Sequence, residues 1–467
     1  MEKNTNETGI CLRCVRKGHE LVFHYAHSLL IPHFTHGCGL GISGPLIPLF
    51  ARHLGAADST VGWIITANSI GKALLDIPAS ILVHEYSIRA VMLGANVLHV
   101  TSTLIAWFAP SPEYVLLCAG LWGGAIAVFF TARNDFVATV VPKDSRGRLF
   151  SIMGGILRWS MVVGPLVGGA LADAVGVRNA LLGTIPFIAC TALCVLTGSQ
   201  ITECDKQHAE DRRQAASNQH EADDVRSGVA GHLLDVWDTA KEHQKVMISV
   251  GGYAGQIASL WICRRLFLPL AAMNLNLPAT QVGLILTVSF LVDASFFWIG
   301  GIIVDKYGRK ASAIPTALFM GIAFVFLSVT ETVIHLGIAA LLFGLSGCVG
   351  SGILLTLISD VAPQKGSKKK GFMGAMRLVQ DLGGVVGPML AGVMLHFFDF
   401  RNACLAVGCI GFFAAGWCYF LVKETHGASA MSTDAKITDI IESSVSSTID
   451  AKLEDSRRYD SSEDLVN

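Results

Sequence analysis

Apolar residues gather in about twelve blocks along the chain, each close to the ~20 residues that a helix needs to cross a bilayer. The first-half blocks span residues 26–50, 60–83, 89–109, 113–141, 149–172 and 179–198. The second-half blocks span residues 247–271, 281–304, 311–330, 333–361, 371–395 and 402–422. Runs this long and uniform predict helices, because backbone groups inside lipid must be hydrogen-bonded within their own segment. We therefore expect an all-α membrane protein with twelve transmembrane helices.

The polar stretches around these blocks predict the remaining organisation. We expect an N-terminal segment, a six-helix bundle, a linker, a second six-helix bundle and a tail at residues 1–25, 26–198, 199–245, 246–423 and 424–467. The linker is expected to be loosely structured, except that Val229, Leu233, Trp237 and Ala240 share one helical face. That face predicts an amphipathic helix on the membrane surface, or else a short helix packed on a loop. The Ser- and Asp-rich tail predicts disorder.

The basic residues indicate the orientation of the chain. Sixteen Lys and Arg lie at the N-terminus, in the even-numbered short loops and directly after the last span, whereas the opposite loops hold at most five. Because basic loops remain preferentially in the cytoplasm, both termini and the linker are expected there. The polar first 20 residues predict no cleaved leader ahead of the first span.

Composition agrees with a membrane protein. Hydrophobic residues make up 52% and charged residues 15% of the 467 positions, against about 25% charged in soluble domains. The twelve cysteines are scattered, mostly inside spans, which indicates reduced thiols instead of a disulfide framework. Cys11 and Cys14 have the spacing of half a zinc site, but no second pair follows, so we expect no metal and no cofactor.

The two halves of the chain repeat each other. VGPLVGG around Pro165 matches VGPMLAG around Pro388, 223 positions later, and the same offset relates Arg178 to Arg401. An offset of 221 relates Pro48 to Pro269 in a further matching stretch. A repeat that keeps its register across loops indicates duplication, and it predicts two pseudo-symmetric six-helix bundles.

The segment GGIIVDKYGRK, Gly300 to Lys310, ends one apolar run with a tight basic turn. Its pattern G-x-x-x-D-x-x-G-R-K resembles the loop signature of the major facilitator superfamily of secondary transporters, although an ordinary charged turn is the alternative. The resemblance covers roughly residues 26–423. GISGPLIPLF in the first span, together with the packing motifs of spans 5 and 11, is similar to the drug:proton antiporter branch. Those motifs comprise Gly164, Pro165, Gly168, Gly169, Gly387 and Pro388.

Two features depart from that branch. The first-half copy of the loop signature is ILVHEYSIR, so His84, Ser87 and Ile88 replace the expected Asp, Gly and Arg. The arginine that the branch carries early in span 4 is missing from VLLCAGLWGGA. Both departures weaken the assignment to the branch and leave the assignment to the superfamily intact.

The resemblance implies alternating access around a cavity lined by spans 1, 4, 7 and 10. It also implies that span 2 faces span 11 and that span 5 faces span 8. The signature loop then has a conformational role as a latch, formed by Asp305, Gly308, Arg309 and Asp360. Asp360 would accept Arg309, and Asp305 would lie at the positive N-terminus of span 11.

Four ionisable side chains lie near the middle of their spans, where a charge needs a cavity or a partner: Lys72, Arg158, Asp293 and Asp381. The repeat relates Lys72 to Asp293 and Arg158 to Asp381. With the implied arrangement of spans, Lys72 pairs with Asp381 and Arg158 with Asp293, unless each charge is neutralised within its own half. A carboxylate that loses its cation more readily takes a proton, so the two aspartates are candidates for proton coupling.

Other ionisable residues complete the candidate solute and ion-coupling site. They are Arg133 and Asp135 in span 4, Arg264 in span 7 and Arg377 one turn from Asp381. Arg265 lies ~100° from Arg264 around the helix, so only one of the two can point into the cavity; the alternative is an arginine that extends to the membrane interface. His33 and His36 either titrate or serve as hydrogen-bonded packing residues. The excess of arginine favours an anionic or neutral organic solute.

We therefore expect a secondary active transporter of a small organic solute, coupled to protons, which functions as a monomer in the lipid bilayer. The alternatives are an uncoupled facilitator and a membrane receptor that kept the fold. An enzyme is not expected, because we find no Ser/His/Asp arrangement, metal-ligand cluster or glycine-rich phosphate loop. Nothing in the sequence indicates a nucleic-acid partner.

Overall fold

The computed structural model describes residues 22–217, 237–363 and 367–424, and these residues are almost entirely helical. In the first half the long helices are α1 (Ile31–His53), α2 (Asp58–Glu85), α3 (Ile88–Phe108), α4 (Pro112–Val140), α5 (Lys143–Val175) and α6 (Val177–Thr197). In the second half they are α7 (Gln244–Asn274), α8 (Ala279–Tyr307), α9 (Arg309–Ser328), α10 (Val333–Val361), α11 (Ser367–Phe397) and α12 (Phe400–Leu421). The chain is an all-α membrane protein with two six-helix bundles, as predicted.

Ten of these twelve helices are long and apolar enough to cross a membrane, and α1 and α2 are the two that fall short. The reason lies in their polar content, since α2 alone carries Asp58, Lys72, Asp76 and Glu85. Both helices contribute residues to a cavity between the bundles, where polar side chains are tolerated. A hydropathy average therefore understates α1 and α2, whose polar positions include residues of the cavity wall.

The linker differs from the prediction at its start. Ser199–Ser217 forms a helix, which we call the linker helix, and so the expected loose structure is wrong for this segment. Ile201 and Cys204 lie three positions apart, are 0% exposed, and pack into the apolar core that α3 and α4 also form. These two apolar residues, together with polar contacts such as Thr139 Oγ1 to His208 Nε2 at 3.0 Å, hold a helix that is otherwise polar. The predicted amphipathic helix falls mainly outside the described residues, because Val229 and Leu233 belong to the undescribed segment.

Glycines allow close helix contacts within each bundle. A Cβ atom on Gly164 of α5 would lie 2.4 Å from the Cα of Gly41 in α1, and one on Gly383 of α11 would lie 2.1 Å from the Gly255 carbonyl oxygen in α7. Backbones in these places touch directly, which is the use of small residues between membrane helices. The predicted packing residues lie at such contacts: Gly168 faces Ile42 and Gly387 faces Ser259 within the bundles, while Gly169 faces Ala279, Pro165 faces Gly283 and Pro388 faces Gly62 between them.

The two bundles meet through α2 against α11 and α5 against α8. We call the end of the molecule that carries Arg309 the signature end, and the other end the sealed end. At the sealed end, Gly62 contacts Gly392 with a hypothetical Cβ distance of 2.6 Å. The Asp173 carboxylate of α5 accepts the backbone N–H groups of Ala279 and Thr280 at 3.0 and 2.8 Å, and so caps the N-terminus of α8. These contacts close the interface at that end.

Candidate substrate cavity and its ion pairs

A cavity of about 370 Å³ lies between the bundles, with walls from α1, α2, α4, α5, α7, α8, α10 and α11. Most of its lining is apolar, with four aromatic side chains: Trp122, Phe130, Trp261 and Phe290. Six lining residues are polar or charged, namely Asn68, Ser69, Lys72, Arg265, Gln380 and Asp381. An apolar cavity of this size with a few polar groups is typical of a site for a small organic molecule.

Lys72 and Asp381 join the bundles across this cavity. The Lys72 ammonium lies 2.5 Å from Asp381 Oδ1 in α11 and 3.1 Å from Asp76 Oδ2, one turn further along α2. Asp76 also accepts Arg377 of α11 at 3.0 Å. Two cations and two carboxylates therefore alternate in a short chain that crosses between the bundles twice.

Asp76 is a site residue that the sequence argument missed. Its side chain is 9% exposed and bonds both Lys72 and Arg377. The signal was available, because a lysine and an aspartate four positions apart on one helix lie on the same face. The alternative of neutralisation within one bundle thus holds in part, since Lys72 has a partner in each.

Arg158 and Asp293 form the second link, on the α5–α8 side. Arg158 Nε lies 3.0 Å from Asp293 Oδ1, and its Nη2 donates to Ser351 Oγ at 3.0 Å. The guanidinium also lies 5.2 Å from the centre of the Phe297 ring. Ser351 belongs to a break in α10, where Gly352 adopts φ of 78° between two helical segments. These three partners are in the second bundle, so Arg158 binds that bundle through α8 and α10 together, while its Nη1 donates to the Gly154 carbonyl oxygen in α5 at 3.1 Å.

Of the two adjacent arginines in α7, the structure places Arg265 on the cavity wall. Arg264, which the sequence argument preferred, is 6% exposed and points into the second bundle. It donates to Ser289 Oγ at 2.7 Å and lies 4.6 Å from the centre of the Phe290 ring. Neighbouring residues on a helix point ~100° apart, so Arg265 can face the cavity while Arg264 faces the second bundle. Which of the two arginines faces the cavity depends on the rotation of the helix about its axis, and the approximate span boundaries do not define that rotation.

Arg133 and Asp135 lie behind the cavity or away from it. Arg133 of α4 stacks 4.5 Å from the centre of Phe130, which lines the cavity, and bonds a His33 ring nitrogen at 3.0 Å. Asp135 instead faces the linker helix, where its Oδ2 lies 3.4 Å from His208 Nε2. Asp135 therefore connects α4 to the linker helix and does not line the cavity.

A polar cluster lies inside the first bundle, next to the cavity. His36 stacks on Phe129 with ring centres 3.8 Å apart, and neither of its ring nitrogens has a hydrogen-bond partner among the described residues. His99 of α3 lies 5.5 Å away and accepts Trp122 Nε1 at 3.0 Å. Since Trp122 lines the cavity, this cluster connects to it through one indole. His99 was missed, and a lone histidine in an apolar span gives little signal.

The signature loop makes a compact set of contacts at its end of the molecule. Arg309 Nε lies 2.6 Å from Asp360 Oδ2 of α10, and Gly308 adopts φ of 97°. Asp305 is exposed at the end of α8, and its expected position at α11 stays a prediction. Glu424, which we had placed in the tail, accepts the backbone N–H groups of Arg309 and Lys310, both at 2.9 Å. The carboxylate caps α9, so the chain directly after α12 contacts the signature loop.

Comparison with known proteins identifies the family. The chain is 23% identical over 400 residues to the multidrug resistance efflux pump PmrA of Streptococcus pneumoniae, covering 81% of this chain and 92% of that protein. It is 23% identical over 380 residues to an uncharacterised MFS-type transporter of Methanocaldococcus jannaschii, covering 79% and 90%. The solved structure of the nucleoside transporter NupG superposes with a TM-score of 0.64 at 14% identity, covering 85% and 98%, which shows the shared fold. The family profile matches residues 29–247 and 257–446, and the chain belongs to the Major Facilitator Superfamily of membrane transporters.

Proposed function

We propose that the protein is a secondary active transporter that moves a small organic solute by alternating access and couples this movement to protons. The observation that carries the proposal is the cavity between two bundles that are joined, beside it, by ion pairs across their interface. The Lys72–Asp381 pair lies on the cavity wall itself. A solute that enters this space therefore meets the same charges that hold the bundles together.

Alternating access requires contacts that form in one state and break in the other. At the sealed end, the Asp173 cap on α8 and the Gly62–Gly392 contact are such contacts. Opening that end separates α5 from α8 and α2 from α11. The same movement lengthens the two ion pairs, because they lie on the same helix pairs.

The position of Asp381 supports proton coupling. Its side chain is 16% exposed and its cation comes from the other bundle. When the bundles separate, the carboxylate loses that cation in a poorly solvated place, and protonation then removes an unpaired charge. Asp293, whose cation is Arg158 of the first bundle, is the second candidate.

The orientation and the assembly belong to the same proposal. The signature end faces the cytoplasm, together with both termini and the linker helix, in agreement with the basic loops. One chain supplies both bundles and the complete cavity, so a monomer is sufficient for transport. Arg309, Asp360 and Glu424 then form a cytoplasmic latch that is remade in each cycle.

The proposal is tested by solute uptake into liposomes that contain the purified full-length chain, with and without an imposed pH gradient. The solute panel includes organic anions, nucleosides and drugs, the last two because NupG is a nucleoside transporter and PmrA a multidrug resistance efflux pump. The proposal is supported if the pH gradient accelerates uptake by the unaltered protein and if uptake by Asp381→Asn no longer responds to the gradient. Gradient-independent uptake makes the protein a facilitator, and saturable binding with no flux makes it a receptor.

A further inference from the structure

Among the described residues, the cavity wall carries three ionisable side chains, and they are not equally compensated. Lys72 and Asp381 neutralise each other, and Asp76 adds a second carboxylate to Lys72. Arg265 lines the same cavity, yet none of the described residues gives it a hydrogen bond or an ion pair. The wall therefore presents one net positive charge to whatever occupies the space.

The other arginines around the interface make the contrast clear. Arg158 has Asp293, Arg377 has Asp76, and Arg264 donates to Ser289 Oγ at 2.7 Å. A guanidinium inside a membrane protein is costly without a partner or water. Arg265 thus differs from its neighbours in lacking a partner within the described part of the chain, while it faces a space large enough for a ligand.

We infer that Arg265 binds the anionic group of the solute, and that the solute is an amphiphilic monoanion. A guanidinium offers a fork of N–H donors that matches a carboxylate, sulfonate or phosphate ester. Trp122, Trp261, Phe130 and Phe290 supply apolar and aromatic surface for the body of the molecule. A volume of about 370 Å³ suits a body of two or three rings.

The same geometry disfavours a cationic solute. The one carboxylate that lines the cavity within the described residues is Asp381, and Lys72 already lies 2.5 Å from it. A cation would have to displace that ammonium before it found a counter-charge. A single uncompensated arginine also suits one negative charge better than two. This inference rests on the proposed function and specifies the chemical class of solute for that cavity.

The test measures binding to the purified full-length protein by calorimetry or ligand-induced thermal shift. The probes are benzoate, 2-naphthoate and biphenyl-4-carboxylate, each compared with its neutral amide and its arylmethylammonium analogue. We expect at least one carboxylate to bind saturably and more tightly than its amide and amine. Arg265→Gln should weaken carboxylate binding roughly 10- to 100-fold and leave amide binding nearly unchanged. Arg265→Lys should give an intermediate loss, because it keeps the charge without the fork.

Arg264→Gln is the matched control, one residue away on the same helix. It should lower thermal stability, because Ser289 loses its partner, and should keep the preference for carboxylate over amide. The inference is overturned if no carboxylate binds saturably, if an amine binds best, or if the preference survives in Arg265→Gln. Should that variant fail to fold, Arg265→Lys tests the role of the residue, and the carboxylate-to-amide ratio of the unaltered protein tests the class of solute. A carboxylate preference without flux in liposomes would overturn the proposed function alone, and flux without that preference would overturn this inference alone.

Discussion

Replacing Lys72 by alanine should impair transport severely, because Lys72 is the one described cation that bonds Asp381. In the structure the ammonium lies 2.5 Å from Asp381 and 3.1 Å from Asp76, and Arg377 bonds only the second of these carboxylates. The variant therefore leaves Asp381 without a counter-charge in the state where the bundles touch. Asp76 keeps Arg377 and is affected less.

The magnitude follows from the burial of the two groups. Removing one member of a buried ion pair costs about 3–5 kcal/mol, whereas exposed pairs contribute less than about 1 kcal/mol. Asp381 is 16% exposed but Lys72 is 34% exposed, so water can replace part of the interaction. We take about 2–3 kcal/mol, which lowers the equilibrium constant between the joined and the separated state roughly 30- to 150-fold.

The assay is the initial rate of solute uptake into liposomes, measured for Lys72→Ala, Asp381→Ala and the double variant Lys72→Asp with Asp381→Lys. The double variant should recover part of the rate, since it keeps two cations and two carboxylates in the chain. Recovery should be incomplete, because a carboxylate at position 72 lies one turn from Asp76 and an ammonium at position 381 removes the proton site. Lys206→Ala, an exposed lysine of the linker helix, is the control. Near-normal rates in both single variants would show that the pair does not hold the bundles together.

Three further outcomes test the orientation, the latch and the sealed end. Cysteines introduced at Ser217 and Ser444 should resist impermeant labels added outside intact cells, and labelling from outside would reverse the proposed topology. Gly308→Val should slow turnover while solute affinity stays normal. Gly308 has φ of 97°, and a Cβ there would lie 3.0 Å from the Glu424 carboxyl, so the substitution strains the signature loop. A weakened affinity with normal turnover would contradict the latch role. Asp173→Ala removes a helix cap worth about 1 kcal/mol and should raise accessibility of the cavity from the sealed end about fivefold, as measured by labelling; unchanged accessibility would mean that the cap is not a gate.

Much of the fold could be predicted from the sequence, because bilayer thickness and duplication are strong constraints. The twelve apolar blocks fixed the number of helices, and the repeat offsets placed Lys72, Arg158, Asp293 and Asp381 at equivalent depths. The two pairings then needed the relation between the bundles, which came from the family resemblance. The structure brings together both pairs.

The remaining features depend on helical phase and on contacts between distant segments. Arg264 and Arg265 differ by one position, and span boundaries uncertain by several residues cannot decide which faces the cavity. The Asp135–His208 contact and the Glu424 cap join segments that are far apart in the chain. Hydropathy and periodicity carry no information on such contacts, because each depends on one side chain that meets one partner.

Duplication also explains why two ion pairs cross the interface. The equivalent positions carry Lys72 and Arg158 in the first bundle but Asp293 and Asp381 in the second. At these positions the first bundle carries two cations and the second carries two carboxylates. Neither bundle can therefore neutralise them from its own pair of positions. The duplicated helices therefore carry opposite charges that attract the two bundles to each other on both sides of the cavity.

Asp76 breaks this symmetry, and with it the equivalence of the two pairs. When the bundles separate, Lys72 keeps the Asp76 carboxylate within α2, whereas Asp381 loses the Lys72 ammonium. Asp76 thus lowers the cost of releasing Asp381 and favours its protonation in the separated state.

We expect Asp76→Asn to leave Lys72 bound more tightly to Asp381, to slow proton-driven uptake, and to slow solute exchange at equal pH less. Comparing the two rates in liposomes tests this, with Glu113→Gln at the exposed start of α4 as the control. Equal slowing of both rates would show that Asp76 only supports the structure of the interface.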